Sequence, residues 1–144
     1  MTKKPDFDLQ DFMPYLLNQA ADKTSRAFEA AYKAKYGMLR TEWRVVFHLG
    51  HYGKMTAKVI CDRARIHKTK VSRAVHALEE KRYLARKPLP DDRRHEVLSL
   101  TKAGVIVFED LYQEAQRFDA DLMSVFSAAE REQMRNFLIK IAKF

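Results

Sequence analysis

The sequence predicts a mainly α-helical chain carrying one small β-hairpin, and three observations lead there. Among 144 residues there are only four Gly and four Pro, while the good helix formers Ala, Leu, Lys, Arg and Glu abound. Apolar residues recur at three- and four-residue steps along most of the chain, the period of an amphipathic helix. Only Tyr83 to Leu100 departs from that period, with two short strand-like runs around a Pro- and Asp-rich centre. A hydrophobic content of 47% is enough to build the core of a single domain of this length.

Residues 1–10 are polar and read as a loose arm. From Asp11 to about Tyr36, a stripe running from Phe12 and Leu16 to Phe28 and Tyr32 predicts one long helix. Pro14 falls in its first turn, where a missing N–H costs nothing, and Gly37 suits its C-terminal cap. Such a stripe needs a partner segment or a partner chain to cover it. A second helix follows over about Arg40 to His51, with Val45, Val46 and Leu49 inward. Leu39 stands where a capping Ser or Thr is expected.

Gly50 and Gly53 interrupt the chain, and Thr56 can cap a short helix from Ala57 to about Ala64 that turns Val59, Ile60 and Ala64 inward. The turn Arg65-Ile66-His67 leads into a helix from Lys68 to about Arg82. At 100° per residue Val71, Ala74, Val75 and Leu78 form its apolar stripe. Thr69, Arg73 and His76 point the opposite way, flanked by Lys68, Lys70 and Ser72. Tyr83–Lys87 and His95–Leu100 then make the hairpin, with Pro88 to Arg94 as its stiff tip. Thr101 can cap a helix from Lys102 to about Phe126, whose stripe runs from Val107 to Val125. Ser127 and Glu130 have the spacing of a capping box, opening a last helix with Met134, Phe137, Leu138, Ile141 and Phe144 on one side.

The net charge of +8 is concentrated in this middle portion. Lys54 to Lys102 hold 14 Lys/Arg and 6 Asp/Glu, which leaves 13 of each sign elsewhere from totals of 27 and 19. Charge alone fits a solvated basic face as well as a polyanion-binding one. Its placement favours the second. A helix with small polar and basic groups on its outer N-terminal face can enter a DNA major groove, where Arg and Lys read guanine edges and Ser or Thr read either partner. A rigid hairpin bearing Arg93 and Arg94 beside it is a wing, able to place arginine in the adjacent minor groove. The expectation is a winged helix-turn-helix over 40–101 set in a helical dimerisation frame formed by 11–36 and 102–144.

Other classes find little support. There is no phosphate-cradling glycine loop, and the His residues at 48, 51, 67, 76 and 95 are scattered. No catalytic residue, metal site or cofactor is therefore expected. A single cysteine precludes an internal disulfide and fits a reducing compartment. With no secretory signal pattern and no long apolar run, a cytoplasmic location without membrane association is expected.

The sequence resembles the MarR family of transcriptional regulators over essentially its whole length. The most specific part is Asp92-Arg93-Arg94-His95-Glu96-Val97-Leu98-Ser99-Leu100-Thr101, which matches the family's Asp-x-Arg-x5-Leu-Thr pattern, with Gly104 following in place. Glu42-Trp43-Arg44-Val45-Val46 and Val71-Ser72-Arg73 stand in register before it. The resemblance implies a homodimer whose terminal helices interleave and whose two lobes face successive major grooves of a pseudo-palindromic operator. Such proteins mostly repress, and a small molecule or an oxidant commonly releases them. Carried over by position, Thr69, Lys70, Ser72, Arg73 and His76 approach bases or phosphates. Asp92 orients the wing, and either Arg93 or Arg94 occupies the minor groove.

For the releasing signal, the family's reactive cysteine near the start of the first helix is absent. Cys61 reads first as a small packing residue, although Arg63 and Arg65 nearby could favour a thiolate and a redox-responsive regulator. A small anionic effector, such as an aromatic acid, is the better reading. Its candidate contacts are Tyr15, Arg26, Trp43, Arg44 and His48, with Arg44 and His48 one helical turn apart. The reading from another class is a winged-helix interaction or architectural DNA-binding module that answers to no effector.

Overall fold

A computed structural model describes residues 6–92 and 94–144; the wing candidate Arg93 lies outside the described residues. A 3-10 turn, Leu9–Asp11, precedes α1 (Met13–Tyr36), which is followed by α2 (Arg40–Tyr52), β1 (Met55–Thr56), α3 (Ala57–Ala64) and α4 (Lys68–Glu80). Then come β2 (Leu84–Pro88), β3 (Glu96–Leu100), α5 (Lys102–Met123) and α6 (Ala128–Ala142). The long first helix thus starts two residues later than expected, because Phe12 is extended after the 3-10 turn. At its other end Gly37 adopts φ 61°, and the N–H of Met38 donates to the Tyr32 carbonyl at 3.2 Å, closing the helix.

Leu39 offers α2 no side-chain cap, and a carboxylate does that work instead. The Leu39 N–H donates to Glu42 Oε2 at 2.9 Å, while Lys81 Nζ lies 2.6 Å from Glu42 Oε1 and 3.0 Å from the Gly37 carbonyl. Glu42 is only 4% exposed. One buried carboxylate therefore caps α2 and fastens the end of α4 to it, so its charge is both paired and hydrogen-bonded, as burial requires.

The hairpin belongs to a three-stranded antiparallel sheet of order β1-β3-β2, with Met55 opposite Leu98 and Leu84 opposite Leu100. A two-residue strand such as β1 is too short to leave an alternating pattern. In α3, Ile60 is buried but Val59, expected inward, is exposed: one residue along a helix is 100° around it, and Ile60 occupies the inward line. The α4 helix stops at Glu80, two residues short of the expected end, because Arg82 takes a left-handed φ of 64° and Tyr83 N–H returns to the Leu78 carbonyl at 3.0 Å. The α5 helix stops at Met123 rather than Phe126, where Ser124 Oγ donates to the Asp121 carbonyl at 2.7 Å.

The junction of sheet and α5 is tight. Thr101 N–H donates to the Tyr83 carbonyl at 3.0 Å, its hydroxyl donates to the Arg82 carbonyl at 2.7 Å, and the same oxygen accepts the Gly104 N–H at 3.1 Å. A Cβ on Gly104 would lie 2.0 Å from the Tyr83 carbonyl oxygen. Gly104→Ala is therefore expected to destabilise the protein by about 2 kcal/mol. Overpacking of about 3 kcal/mol outweighs roughly 1 kcal/mol of helix propensity. Equilibrium urea unfolding checks this, and a gain in stability would show that the junction yields without cost.

One core joins the central elements. Tyr32 of α1, Val45, Val46 and Leu49 of α2, Ile60 of α3, Leu78 of α4, Leu98 of β3, and Val107 and Leu111 of α5 form a single buried cluster. The distal elements share none of it. No residue of α6 is buried; Phe137 is 64% and Phe144 81% exposed, and beyond α5 Val125 is 80% exposed. Phe12, Met13 and Leu16 at the start of α1 are exposed as well. The apolar stripes expected on these helices exist, and within one chain they stay uncovered.

Candidate nucleic-acid interface

The four residues Val71, Ala74, Val75 and Leu78 anchor α4 to the core. Their burial fixes which side of the helix faces away: Lys68, Thr69, Lys70, Ser72, Arg73 and His76 are all exposed. The turn into α4 is made by Arg65 at φ 54°, and His67 caps the helix, its Nδ1 accepting the Thr69 N–H at 3.2 Å. That bond keeps the lone pair on Nδ1 occupied and leaves the ring proton on Nε2. His76 lies 3.1 Å from Glu80, one turn along the same helix.

The wing tip is closed by backbone bonds from Leu89 N–H to the His95 carbonyl (3.0 Å) and from His95 N–H to the Asp92 carbonyl (3.1 Å). Asp92 Oδ1 accepts both the backbone N–H of Arg94, at 3.1 Å, and its Nε, at 3.3 Å. The Arg94 side chain is nevertheless 91% exposed. Aspartate thus braces the turn and aims an arginine that remains free to meet an anion. At the wing base Arg86 reaches Glu79 of α4 at 2.9 Å and Glu96 of β3 at 3.8 Å, tying the hairpin to α4.

Helix and wing enclose a groove of about 750 Å³, with Lys58, Lys68, Thr69, Ser72, Arg73 and Arg94 among its lining residues. Lys58 and Arg86 were not singled out in the sequence; the periodicity of α3 could have shown Lys58 on an outward line. Cys61 also borders this groove. It is half-buried rather than fully buried, and it rests against the core.

The effector candidates lie in several surroundings. Tyr15 and Arg26 are separated by roughly 16 Å of α1 at the helical rise. Arg26 is paired with Asp22 at 3.1 Å on an exposed surface. Trp43 belongs to an aromatic cluster joining α1, α2 and α5, with ring centroids 5.6 Å from Phe28 and 5.4 Å from Phe47, while Phe28 meets Phe118 at 5.2 Å. His48 Nδ1–H donates to the Arg44 carbonyl at 2.6 Å, so these two meet through the backbone rather than around a shared anion. Arg44 lines a different groove, beside Arg40. Reach along a helix is visible in sequence; how neighbouring helices pack is not.

Where α1 meets α5, Tyr36 donates a short hydrogen bond to Asp110, and Lys35 Nζ lies 3.2 Å from the same carboxylate. Burial, then the bond to Asp110, pushes the Tyr36 phenol up to about 12. The Tyr36 hydrogen bond, followed by Lys35, holds Asp110 below the usual carboxylate range.

The model of the MarR family matches residues 36–95 of this chain. The HTH-type transcriptional regulator MhqR of Bacillus subtilis is 28% identical over 107 residues, covering 74% of each chain. A MarR/EmrR family transcriptional regulator from Acinetobacter sp. ADP1 superposes with a TM-score of 0.85 at 28% identity, over 95% of this chain and 96% of that one. Residues 36–95 thus resemble the MarR family, and regulators of that kind are similar to the chain over most of its length. The chain has the winged helix-turn-helix fold of DNA-binding transcriptional regulators. Its fold is also that of BpsR from Bordetella bronchiseptica, whose DNA binding is regulated by 6-hydroxynicotinic acid (TM-score 0.88, 18% identity, 97% and 99% covered). No helix among the described residues is long and apolar enough to cross a membrane.

Proposed function

We propose that the protein is a homodimeric repressor that reads a pseudo-palindromic operator and is released by a small aromatic acid. The observation that carries the DNA reading is the groove shared by α4 and the wing, in which exposed Thr69, Ser72 and Arg73 stand beside an Arg94 aimed by Asp92. In this reading 40–101 is the DNA-binding lobe, and 11–36 with 102–144 is the frame. Lys68, Thr69, Lys70, Ser72, Arg73 and His76 meet the major groove, and Arg94 enters the minor groove. The uncovered apolar surfaces at the start of α1, beyond α5 and along α6 support a second copy as the frame's partner, since together they form more apolar surface than a monomer ordinarily leaves to water.

The aromatic cluster around Trp43, between frame and lobe, supports an aromatic effector, and the effector-controlled BpsR shares the fold. A ligand there acts only through a difference in affinity between DNA-competent and DNA-incompetent arrangements. Thermal-shift screening of aromatic carboxylates, followed by displacement from operator, tests this. A carboxylate that stabilises the protein and lowers operator affinity supports the reading. Stabilisers that leave DNA affinity untouched, across the whole series, overturn it.

Arg94→Ala is expected to weaken operator binding by about 1–3 kcal/mol with the dimer intact. Fluorescence anisotropy alongside sedimentation checks both halves. Unchanged DNA affinity with a weakened dimer would assign the residue to structure.

A further inference from the structure

A second charged groove lies outside the recognition face. It encloses about 440 Å³ between the N-terminal end of α2 and the turn into α4, with Arg40, Thr41, Arg44, Arg65, His67 and Lys70 among its lining residues beside Leu39 and Ile66. Among the described residues Arg40, Arg44, Arg65 and Lys70 form no ion pair, whereas Arg26, Lys33, Lys35, Lys81, Arg86 and Arg117 each have a carboxylate partner. The Arg65 guanidinium donates to the backbone carbonyls of Ala142 and Lys143, contacts that fix its position without neutralising it. Crowding by the surrounding protein, then the like charge of Arg40, depresses the Arg44 pKa, although the residue remains exposed.

Four like charges beside a helix N-terminus repel one another, and an anion in the groove relieves that repulsion. The groove adjoins the DNA-reading face through Lys70, which belongs to α4 and precedes Ser72 and Arg73 by two and three residues. A duplex that takes the N-terminal part of α4 into its major groove carries its sugar–phosphate backbone past this end of the helix. Two guanidinium groups one helical turn apart suit phosphate oxygens, which they bind in a bidentate manner. No Phe, Tyr or Trp lines the groove, and its large apolar lining is confined to Leu39 and Ile66, which favours a phosphate over a ring-bearing acid.

We propose that this groove seats backbone phosphates flanking the bases read by α4, with Arg40 and Arg44 as a clamp that adds affinity without sequence discrimination. The proposal rests on the DNA-binding reading above and moves Arg44 from the effector to the DNA.

The test uses the full chain and a duplex selected from a random pool, prepared with long flanks and also trimmed to the outermost read base pair. On the long duplex the Arg40→Gln/Arg44→Gln variant is expected to bind on the order of tenfold more weakly. Its log–log salt slope should be shallower by about 1 for each phosphate contact removed. Preference for selected over random duplex should be unchanged, and parent and variant should converge on the trimmed duplex. The Arg40→Lys/Arg44→Lys variant should recover most of the slope, and matching melting temperatures and dimer mass verify folding.

An unchanged slope on the long duplex, with Arg73→Ala still abolishing sequence preference, would overturn the clamp and leave the DNA reading standing. Parent-like DNA binding combined with loss of stabilisation by salicylate would also overturn it, making the groove a small-molecule site. A parent protein that binds no duplex would overturn the DNA reading itself.

Discussion

Glu42→Ala is expected to cost about 3 kcal/mol of stability, the toll of removing one partner of a buried ion pair. The substitution removes three interactions together: the Leu39 N–H loses its acceptor, Lys81 loses its carboxylate, and α4 loses its fastening to α2. Lys81 keeps the Gly37 carbonyl and partial solvent access, so the loss should fall toward the lower end of that range. Chemical denaturation at fixed protein concentration measures it. Because Lys81 closes the helix proposed to read DNA, operator affinity should fall as well. A variant within about 0.5 kcal/mol of the parent would show that solvent or another group caps α2 as well as Glu42 does.

The second large effect concerns assembly. Phe137→Asp places a charge on α6, where the parent ring is 64% exposed in a single chain and has little intramolecular packing to lose. In the proposed dimer that ring is covered, and a buried carboxylate without a partner opposes association by several kcal/mol. The variant should sediment as a folded monomer and lose at least about a thousandfold in affinity for a palindrome, since one lobe retains little beyond nonspecific attraction. Unchanged dimer mass would remove α6 from the interface.

Elements whose signals are local were legible in the sequence. The stripe of α4, the Thr56, Thr101 and Ser127 caps, and the αL cap at Gly37 each depend on residues within a few positions, and the structure has them as expected. What the sequence left unread depends on distant partners. The burial of Glu42 has no local signal, because Lys81, 39 residues away, completes it. The Met55–Thr56 strand exists only because Val97 and Leu98 offer it an edge.

The sites divide along the same line. The placement of residues carried by one helix or one turn, such as Thr69, Ser72 and Arg73 on α4 or Asp92 with Arg94 on the wing, was legible because a single local geometry orients them. The effector candidates Tyr15, Arg26, Trp43, Arg44 and His48 came from two helices whose mutual rotation no local pattern encodes. In the structure Arg26 pairs with Asp22, Trp43 joins an aromatic cluster through Tyr32 and Phe47, and Arg44 lines a groove with Arg40. Tail and turn meet in the same unforeseen way, as Arg65 reaches the carbonyls of Ala142 and Lys143.

The salt dependence of duplex binding tests the central claim most directly. A dimer that presents two winged lobes to successive major grooves should bind a selected palindrome at least about a thousandfold more tightly than random duplex at the same salt. Its affinity should fall steeply and linearly with salt on logarithmic axes as condensed counterions are released. Equal affinity for palindrome and random duplex, at every salt concentration, would contradict the account and leave a basic protein that attracts DNA without reading it.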